Sequence, residues 1–79
     1  MNLNGNIKHG RFGGDVLAAT RWEKREGMRK SRVVLIQIAS EWCTAIHCEG
    51  DYEWLYGKYF VTPEAAWESF TERARDLLS

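Results

Sequence analysis

The alternation of hydrophobic and polar positions predicts three or four strands followed by one helix. The clearest strand is 32–39, RVVLIQIA, which is β-branched and apolar on both faces, as a central strand covered on both sides would be. Residues 42–48 and 52–61 predict two further strands, joined by a turn at 49–51. Gly57 interrupts the second of them and predicts a bulge or a close backbone contact.

The segment that begins at Thr62 has the signature of a helix N-terminus. Thr62 is suited to cap the helix, Pro63 fills the first position, and Glu64 meets the positive end of the helix dipole. Trp67 and Phe70 follow at helical spacing. We expect this helix to pack on the sheet through these two aromatic side chains.

Residues 15–26, DVLAATRWEKRE, fit either a strand or a helix. Asp15 could cap a helix and Gly27 could end it, but the apolar positions form no stripe on a helical wheel. On a two-residue period they share one side, which favours a strand over about 16–23. In either case the fold class is α+β, with an antiparallel three- or four-stranded meander sheet and a C-terminal helix packed on one face.

The length of 79 residues allows one domain. Residues 1–14, which hold four Gly and three Asn, predict a flexible basic arm with at most a short edge strand through Leu3 and Ile7. Residues 15–79 then form the single small α+β domain. No apolar run reaches the roughly 18 residues that span a bilayer, and the N-terminus lacks the apolar core of a secretion signal. We therefore expect a cytoplasmic protein that does not bind membranes.

The charged residues balance in number but are unevenly distributed. Residues 1–32 carry eight Lys and Arg against three Asp and Glu, whereas residues 33–79 carry three against eight. If the two halves form different surfaces, the protein has a charge dipole. If the elements interleave, the charges neutralise each other locally. The sequence leaves both alternatives open.

The residues suited to metal binding or catalysis do not form a site. Cys43 and Cys48 lie five apart on one predicted strand and therefore point to opposite faces, which favours reduced thiols. With His47 and the distant His9 they lack the paired spacing of a zinc site. Cys43 and His47 would lie about 13 Å apart along the strand, too far for a hydrogen bond. We expect no enzyme activity, no metal and no cofactor.

The first binding feature is a basic loop beside Trp22, where cations next to an aromatic ring suit phosphates and a stacked base. The chain lacks aromatic RNP motifs, and its second half is acidic enough to repel a polyanion. Direct nucleic-acid binding is therefore the alternative hypothesis, with the candidate residues Arg21, Lys24, Arg25, Arg29, Lys30 and Arg32.

The second feature is the aromatic excess, because one helix covers only one face of the sheet and Trp, Tyr and Arg anchor protein interfaces. The candidate protein-binding residues are Trp22, Arg25, Arg29, Lys30, Glu49, Asp51, Tyr52, Glu53, Trp54 and Tyr56. An acidic outer helix face could meet a basic groove of a nucleic-acid-handling partner. That face is formed by Glu64, Glu68, Glu72 and Asp76.

In general character the chain resembles small phage- or mobile-element-encoded inhibitors, among them the anti-CRISPR proteins. The likeness is one of size, sheet-and-helix plan, charged and aromatic surface, and lack of catalytic apparatus, and it rests on no motif. It implies stoichiometric binding to a host defence complex, in the host cytoplasm, that obstructs the complex's nucleic-acid site. The first hypothesis is thus a non-enzymatic protein-binding inhibitor. A homodimer through an exposed edge strand is a third possibility, and a monomer is equally compatible.

Overall fold

The computed structural model describes residues 6–9, 12–24, 27, 29–51 and 53–78 of the 79-residue chain. The described residues form five strands and one helix: β1 (Asn6–His9), β2 (Phe12–Ala19), β3 (Ser31–Ile38), β4 (Glu41–Cys48), β5 (Trp54–Phe60) and α1 (Pro63–Leu78). The strands pair in sequence order as one antiparallel meander. The predicted α+β class, a meander sheet with a C-terminal helix on one face, is confirmed. The sheet has five strands where three or four were predicted, because β1 adds a strand at its edge.

The N-terminal segment supplies the first strand of this sheet. β1 pairs with the beginning of β2, and the boundary that we placed after Gly14 falls inside β2. Gly14 lies against the central strand, where an added Cβ would clash with the Ile36 side chain. The absence of a side chain at Gly14 therefore allows β2 to approach β3 closely.

The ambiguous segment 15–26 begins as a strand. β2 runs to Ala19 and pairs with β3, so the strand interpretation is confirmed there and the helical alternative is wrong. Beyond β2, Glu23 and Ser31 exchange two backbone hydrogen bonds of 2.8 Å, which extends the pairing as an isolated bridge.

β3 is the central strand and is buried on both faces, as its sequence predicts. Val34 and Ile36 point to one face, whereas Val33 and Leu35 point to the other. The two edge strands, β1 and β5, approach within 8 Å of each other between Cα atoms. The sheet therefore curls, and we call the face of Val34 and Ile36 the inner face and the opposite one the outer face.

The inner face holds the main core. Its fully buried side chains, none more than 1% exposed, are Val16, Val34, Ile36, Cys43, Ala45 and Trp54. Gly57 lies against this cluster, since an added Cβ would lie 3.1 Å from Trp54 Nε1 and 3.2 Å from Cys43 Sγ. The close backbone contact predicted at Gly57 is confirmed.

α1 covers the outer face. Its N-cap is confirmed, because Thr62 Oγ1 accepts a hydrogen bond from the Ala65 N–H at 3.4 Å. Ala66 is fully buried, and Ser69 Oγ lies 2.8 Å from Thr44 Oγ1 of β4. No helix in the described part of the chain is long and apolar enough to cross a bilayer.

The helix contacts the sheet through smaller side chains than the sequence suggested. Trp67 is 45% exposed and packs edge-on against the half-buried Phe70, with 5.7 Å between ring centroids. The prediction that Trp67 anchors the helix is wrong. Ala66 and Ser69 bring the helix close to β4, so the larger ring lies at the side of the contact.

Candidate functional site

The pairing of β4 with β5 contains a bulge at Tyr56 and Gly57. The register shifts between Thr44 and Ile46, so these two residues of β5 lie opposite the single residue Ala45. A bulge bends its strand and redirects the side chains that follow. The bulge predicted from Gly57 is confirmed.

Tyr56 combines backbone strain with solvent exposure. Its φ of 56° lies in the left-handed region, which costs a residue with a Cβ about 1–2 kcal/mol. Glycine is the usual residue where a bulge requires this conformation. The Tyr56 side chain is 78% exposed, so packing within the chain does little to offset the cost. Strain at an exposed aromatic residue points to a functional role.

Tyr56 lies at a groove of about 650 Å³ between the sheet and the C-terminal half of α1. The apolar part of its wall comes from both elements, and Arg29, Arg73 and Asp76 add charged groups. We define the groove surface by Ile46, Leu55, Tyr56, Arg73, Asp76 and Leu77. Arg73 is fixed in place, because its Nη1 donates to the Thr44 carbonyl oxygen at 3.1 Å.

An acidic stripe on α1 runs to the groove surface. Four exposed carboxylates repeat at four-residue spacing, which places them along one side of the helix, and the last of them contributes to the groove wall. We define the acidic stripe as Glu64, Glu68, Glu72 and Asp76. Like charges at this spacing destabilise a helix by about 0.2–0.5 kcal/mol per pair, so the stripe is not explained by helix stability.

The predicted basic loop is partly neutralised by acidic neighbours. Arg29 donates from Nη1 and Nη2 to the two carboxylate oxygens of Asp51 at 2.9 and 3.0 Å. The hydrogen bonds to Arg29 lower the pKa of Asp51, and the same bonds to Asp51 raise the pKa of Arg29. Arg21 pairs with Glu23 at 2.6 Å. For these residues, local neutralisation is the correct alternative.

The β3–β4 hairpin brings the basic loop and the acidic turn together. Ser31 pairs with Cys48, so the residues before β3 run beside the turn after β4. The Glu49 N–H donates to the Lys30 carbonyl oxygen at 2.9 Å, which continues the pairing. Lys24 and Lys30 have exposed side chains, whereas Arg25 lies outside the described residues.

Arg32 is buried on the inner face. It is 7% exposed, its Cζ lies 4.6 Å from the centroid of the half-buried Trp22 ring, and its Nε donates to His47 Nδ1 at 3.2 Å. The prediction of Arg32 as part of an exposed phosphate-binding surface is wrong. As the second residue of β3, Arg32 alternates to the inner face, where its guanidinium lies over the Trp22 ring.

Trp54 and Tyr56, which strict alternation along β5 would place on one face, lie in different environments. Trp54 is 1% exposed and belongs to the core, so its assignment to a protein-binding surface is wrong. The bulge that follows it turns Tyr56 outward instead of continuing the alternation. Tyr52 lies outside the described residues. Glu49 and Glu53 are exposed.

The residues that suggested metal or thiol chemistry are separated or occupied. Within the described residues no three His, Cys, Asp or Glu side chains group as metal ligands, and the His9 side chain lies outside them. His47 Nε2 lies 2.7 Å from the Asp51 carbonyl oxygen, and its Nδ1 bonds to Arg32. Cys43 and Cys48 are both free thiols on opposite faces, as predicted.

The two thiols are expected to differ in reactivity. Burial raises the pKa of Cys43 to about 11, which keeps it protonated, while Cys48 is half-buried beside the groove surface. At pH 8 we expect one thiol per native chain to react with a disulfide reagent, and the second only after unfolding. Cys48→Ser should abolish the native reaction. Equal reaction of both thiols in the native wild type would contradict the burial of Cys43.

Comparison with known proteins gives no relative. No family model, no curated protein and no solved structure matches this chain.

The sequence reasoning missed the other members of the groove surface. Ile46 and Leu55 were assigned only to strands, and Arg73 was not considered. A bulge at Gly57 shifts which side of β5 its residues face, and this shift was the available signal. The position of Leu77 and Arg73 on α1 relative to β5 depends on helix packing, which periodicity alone does not specify.

Proposed function

We propose that this protein is a non-enzymatic inhibitor that binds a host nucleic-acid-handling complex, of the defence or CRISPR type, and blocks its nucleic-acid site. It would be phage-encoded and act in the host cytoplasm. The observation that carries the proposal is Tyr56, an aromatic side chain that is exposed at a strained backbone position beside an apolar groove. The likeness to small inhibitors supplies the class of target.

The groove surface has the composition of a protein-binding site. Tyrosine is among the residues that contribute most to binding energy at protein interfaces, particularly beside apolar pockets. Leu55 is 43% exposed next to Tyr56, and Leu77 adds to the same wall. A partner can bury these side chains by inserting an apolar side chain of its own between β5 and α1.

The acidic stripe defines the chemistry of that partner. Asp76 contributes to the groove wall and the other three carboxylates continue from it along α1, so a partner that fills the groove and extends along the helix also faces negative charge. Complementary charge speeds association and selects partners with basic surfaces. Surfaces that bind nucleic-acid phosphates are basic. A protein segment with an apolar anchor flanked by Lys and Arg, at the edge of such a surface, fits both features, and its occupation would exclude nucleic acid.

The structure weakens support for direct nucleic-acid binding. Arg29 and Arg21 already pair with carboxylates, and Arg32 is buried. Of the described candidate residues, Lys24 and Lys30 retain exposed side chains without a salt bridge, and they lie in a shallow groove that also contains Glu49. A small module that binds nucleic acid through residues 21–32 remains the alternative for experiment to decide.

Charge reversal in the acidic stripe tests the proposal. Immobilised wild-type protein should capture a nucleic-acid-binding host protein that added DNA or RNA displaces. Glu68→Lys should weaken this capture at least tenfold, although it should stabilise α1 by about 1 kcal/mol by replacing like-charge pairs with opposite ones. The matched control Glu41→Lys makes the same charge change at an exposed position at the start of β4 and should bind as wild type.

A gel shift with generic DNA and RNA distinguishes the alternative. The proposal predicts no shift for the isolated protein at physiological salt. A complex that weakens steeply with salt and is lost in Lys24→Glu/Lys30→Glu would instead establish nucleic-acid binding by the basic loop. Equal capture by Glu68→Lys and Glu41→Lys would show that the acidic stripe does not contact the partner.

A further inference from the structure

Arg32 is a buried cation with no carboxylate partner among the described residues. It is 7% exposed, and its sole hydrogen bond to the described residues is the one from Nε to His47. Burial lowers its pKa, and no acidic group in the described part of the chain acts in the opposite direction. A buried charge is costly unless it is paired, so natural proteins supply a counter-ion. Among the described residues this chain does not.

The neighbours of Arg32 organise the guanidinium without neutralising it. The Trp22 ring lies beneath it at 4.6 Å, a geometry that holds the planar group by a cation–π interaction. Because His47 Nδ1 accepts from Arg32, its proton is on Nε2, which donates to the Asp51 carbonyl oxygen. His47 is therefore a neutral support in this arrangement.

The two terminal nitrogens of Arg32 remain available. Neither Nη1 nor Nη2 bonds to a described residue, and neither is sealed from solvent. Together they form the fork of N–H donors that binds a planar oxyanion through two parallel hydrogen bonds.

We propose that Arg32, seated on Trp22 and oriented by His47, is a binding site for a carboxylate group. This site is distinct from the groove surface. Arg32 and His47 are paired across β3 and β4 and point to the inner face. Ile46 and Cys48 flank His47 on β4 and point to the outer face, where the groove lies. The ligand is the missing counter-ion of the buried guanidinium.

Charge and shape favour a carboxylate over a phosphate. One guanidinium and a neutral imidazole supply a single positive charge, which matches a monoanion better than the dianion of a phosphate monoester. The acidic turn at Glu49 and Asp51 begins two residues after His47. Asp51 is paired with Arg29, whereas Glu49 has no side-chain ion pair with a described residue. A planar carboxylate can also lie in the plane of the guanidinium above the indole ring.

The direct test is an NMR titration of the Arg32 Nε–H signal in the full chain. The probes are sodium acetate, sodium chloride and sodium phosphate at matched ionic strength. We expect a saturable shift with acetate, at a dissociation constant of about millimolar order as suits one small ion pair, no such shift with chloride, and weaker binding of phosphate. N-acetylglycine and N-acetylglutamate amide then distinguish a terminal carboxylate from a side-chain carboxylate as the better ligand.

Two variants test whether the acetate response depends on Arg32. Arg29→Gln, which alters an exposed arginine already paired with Asp51, should leave acetate binding unchanged. Arg32→Met keeps an unbranched side chain but removes the guanidinium, and it should abolish the acetate response at the Trp22 indole signal. If Arg32→Met does not fold, the wild-type titrations decide alone. An acetate response that does not saturate, that chloride reproduces, or that phosphate exceeds in affinity would overturn the carboxylate site.

Discussion

Trp54→Ala is expected to lower the free energy of unfolding by about 3–5 kcal/mol. Trp54 is 1% exposed on the inner face, where it packs among small and branched side chains of β2, β3 and β4. Its removal deletes the largest side chain of that core and leaves a cavity that a curled sheet cannot close. A domain of this size has roughly 4–12 kcal/mol of stability in total, so the substitution removes at least about a quarter of it.

The measurement is chemical denaturation followed by circular dichroism. Trp67→Ala is the matched control, because the same ring is removed from a position that is 45% exposed. We expect it to cost no more than about 1 kcal/mol. A larger loss for Trp67→Ala than for Trp54→Ala would mean that the helix–sheet contact, and not the inner face, is the principal core.

The parts of the fold that could be predicted from the sequence are those governed by local pattern. The sequence predicts β3 as a central strand because both of its faces are apolar. It also predicts the start of α1, which begins at Pro63 with Thr62 as its N-cap. β1 was predicted only as a possible short edge strand through Leu3 and Ile7, because the glycine-rich segment around it has little hydrophobic periodicity. The close approach of β2 to β3 at Gly14 is a tertiary contact that this periodicity does not specify.

The site was less predictable, for two physical reasons. First, the bulge at Tyr56 and Gly57 changes the direction of side chains along β5, so alternation placed Trp54 and Tyr56 on the same side although one is buried and the other exposed. Second, the distribution of charges along the chain did not show which basic and acidic side chains form ion pairs. Hairpin register could have shown it, since the pairing of Ser31 with Cys48 places Arg29 beside the acidic turn.

Tyr56→Gly is expected to separate stability from binding. Glycine adopts a φ of 56° without the steric cost that tyrosine bears, so the free energy of unfolding should rise by about 0.5–1 kcal/mol. Little packing is lost, because the side chain is 78% exposed. If Tyr56 anchors a partner, the same substitution removes an interface hot spot worth at least about 2 kcal/mol, or roughly 30-fold in affinity.

Ala39→Gly provides the matched control. Ala39 has a φ of 53° in the tight turn between β3 and β4, and it too is exposed. The substitution therefore relieves the same backbone strain and should stabilise the protein by a similar amount. Ala39 does not contribute to the groove surface, so its replacement should not affect a partner bound there.

The affinity of these two variants for the captured, nucleic-acid-displaceable host protein tests the central claim most directly. The proposal predicts that Ala39→Gly binds as tightly as wild type while Tyr56→Gly, although at least as stable, binds roughly 30-fold or more weakly. Wild-type affinity in both variants would contradict a partner-binding role for Tyr56 and the groove surface.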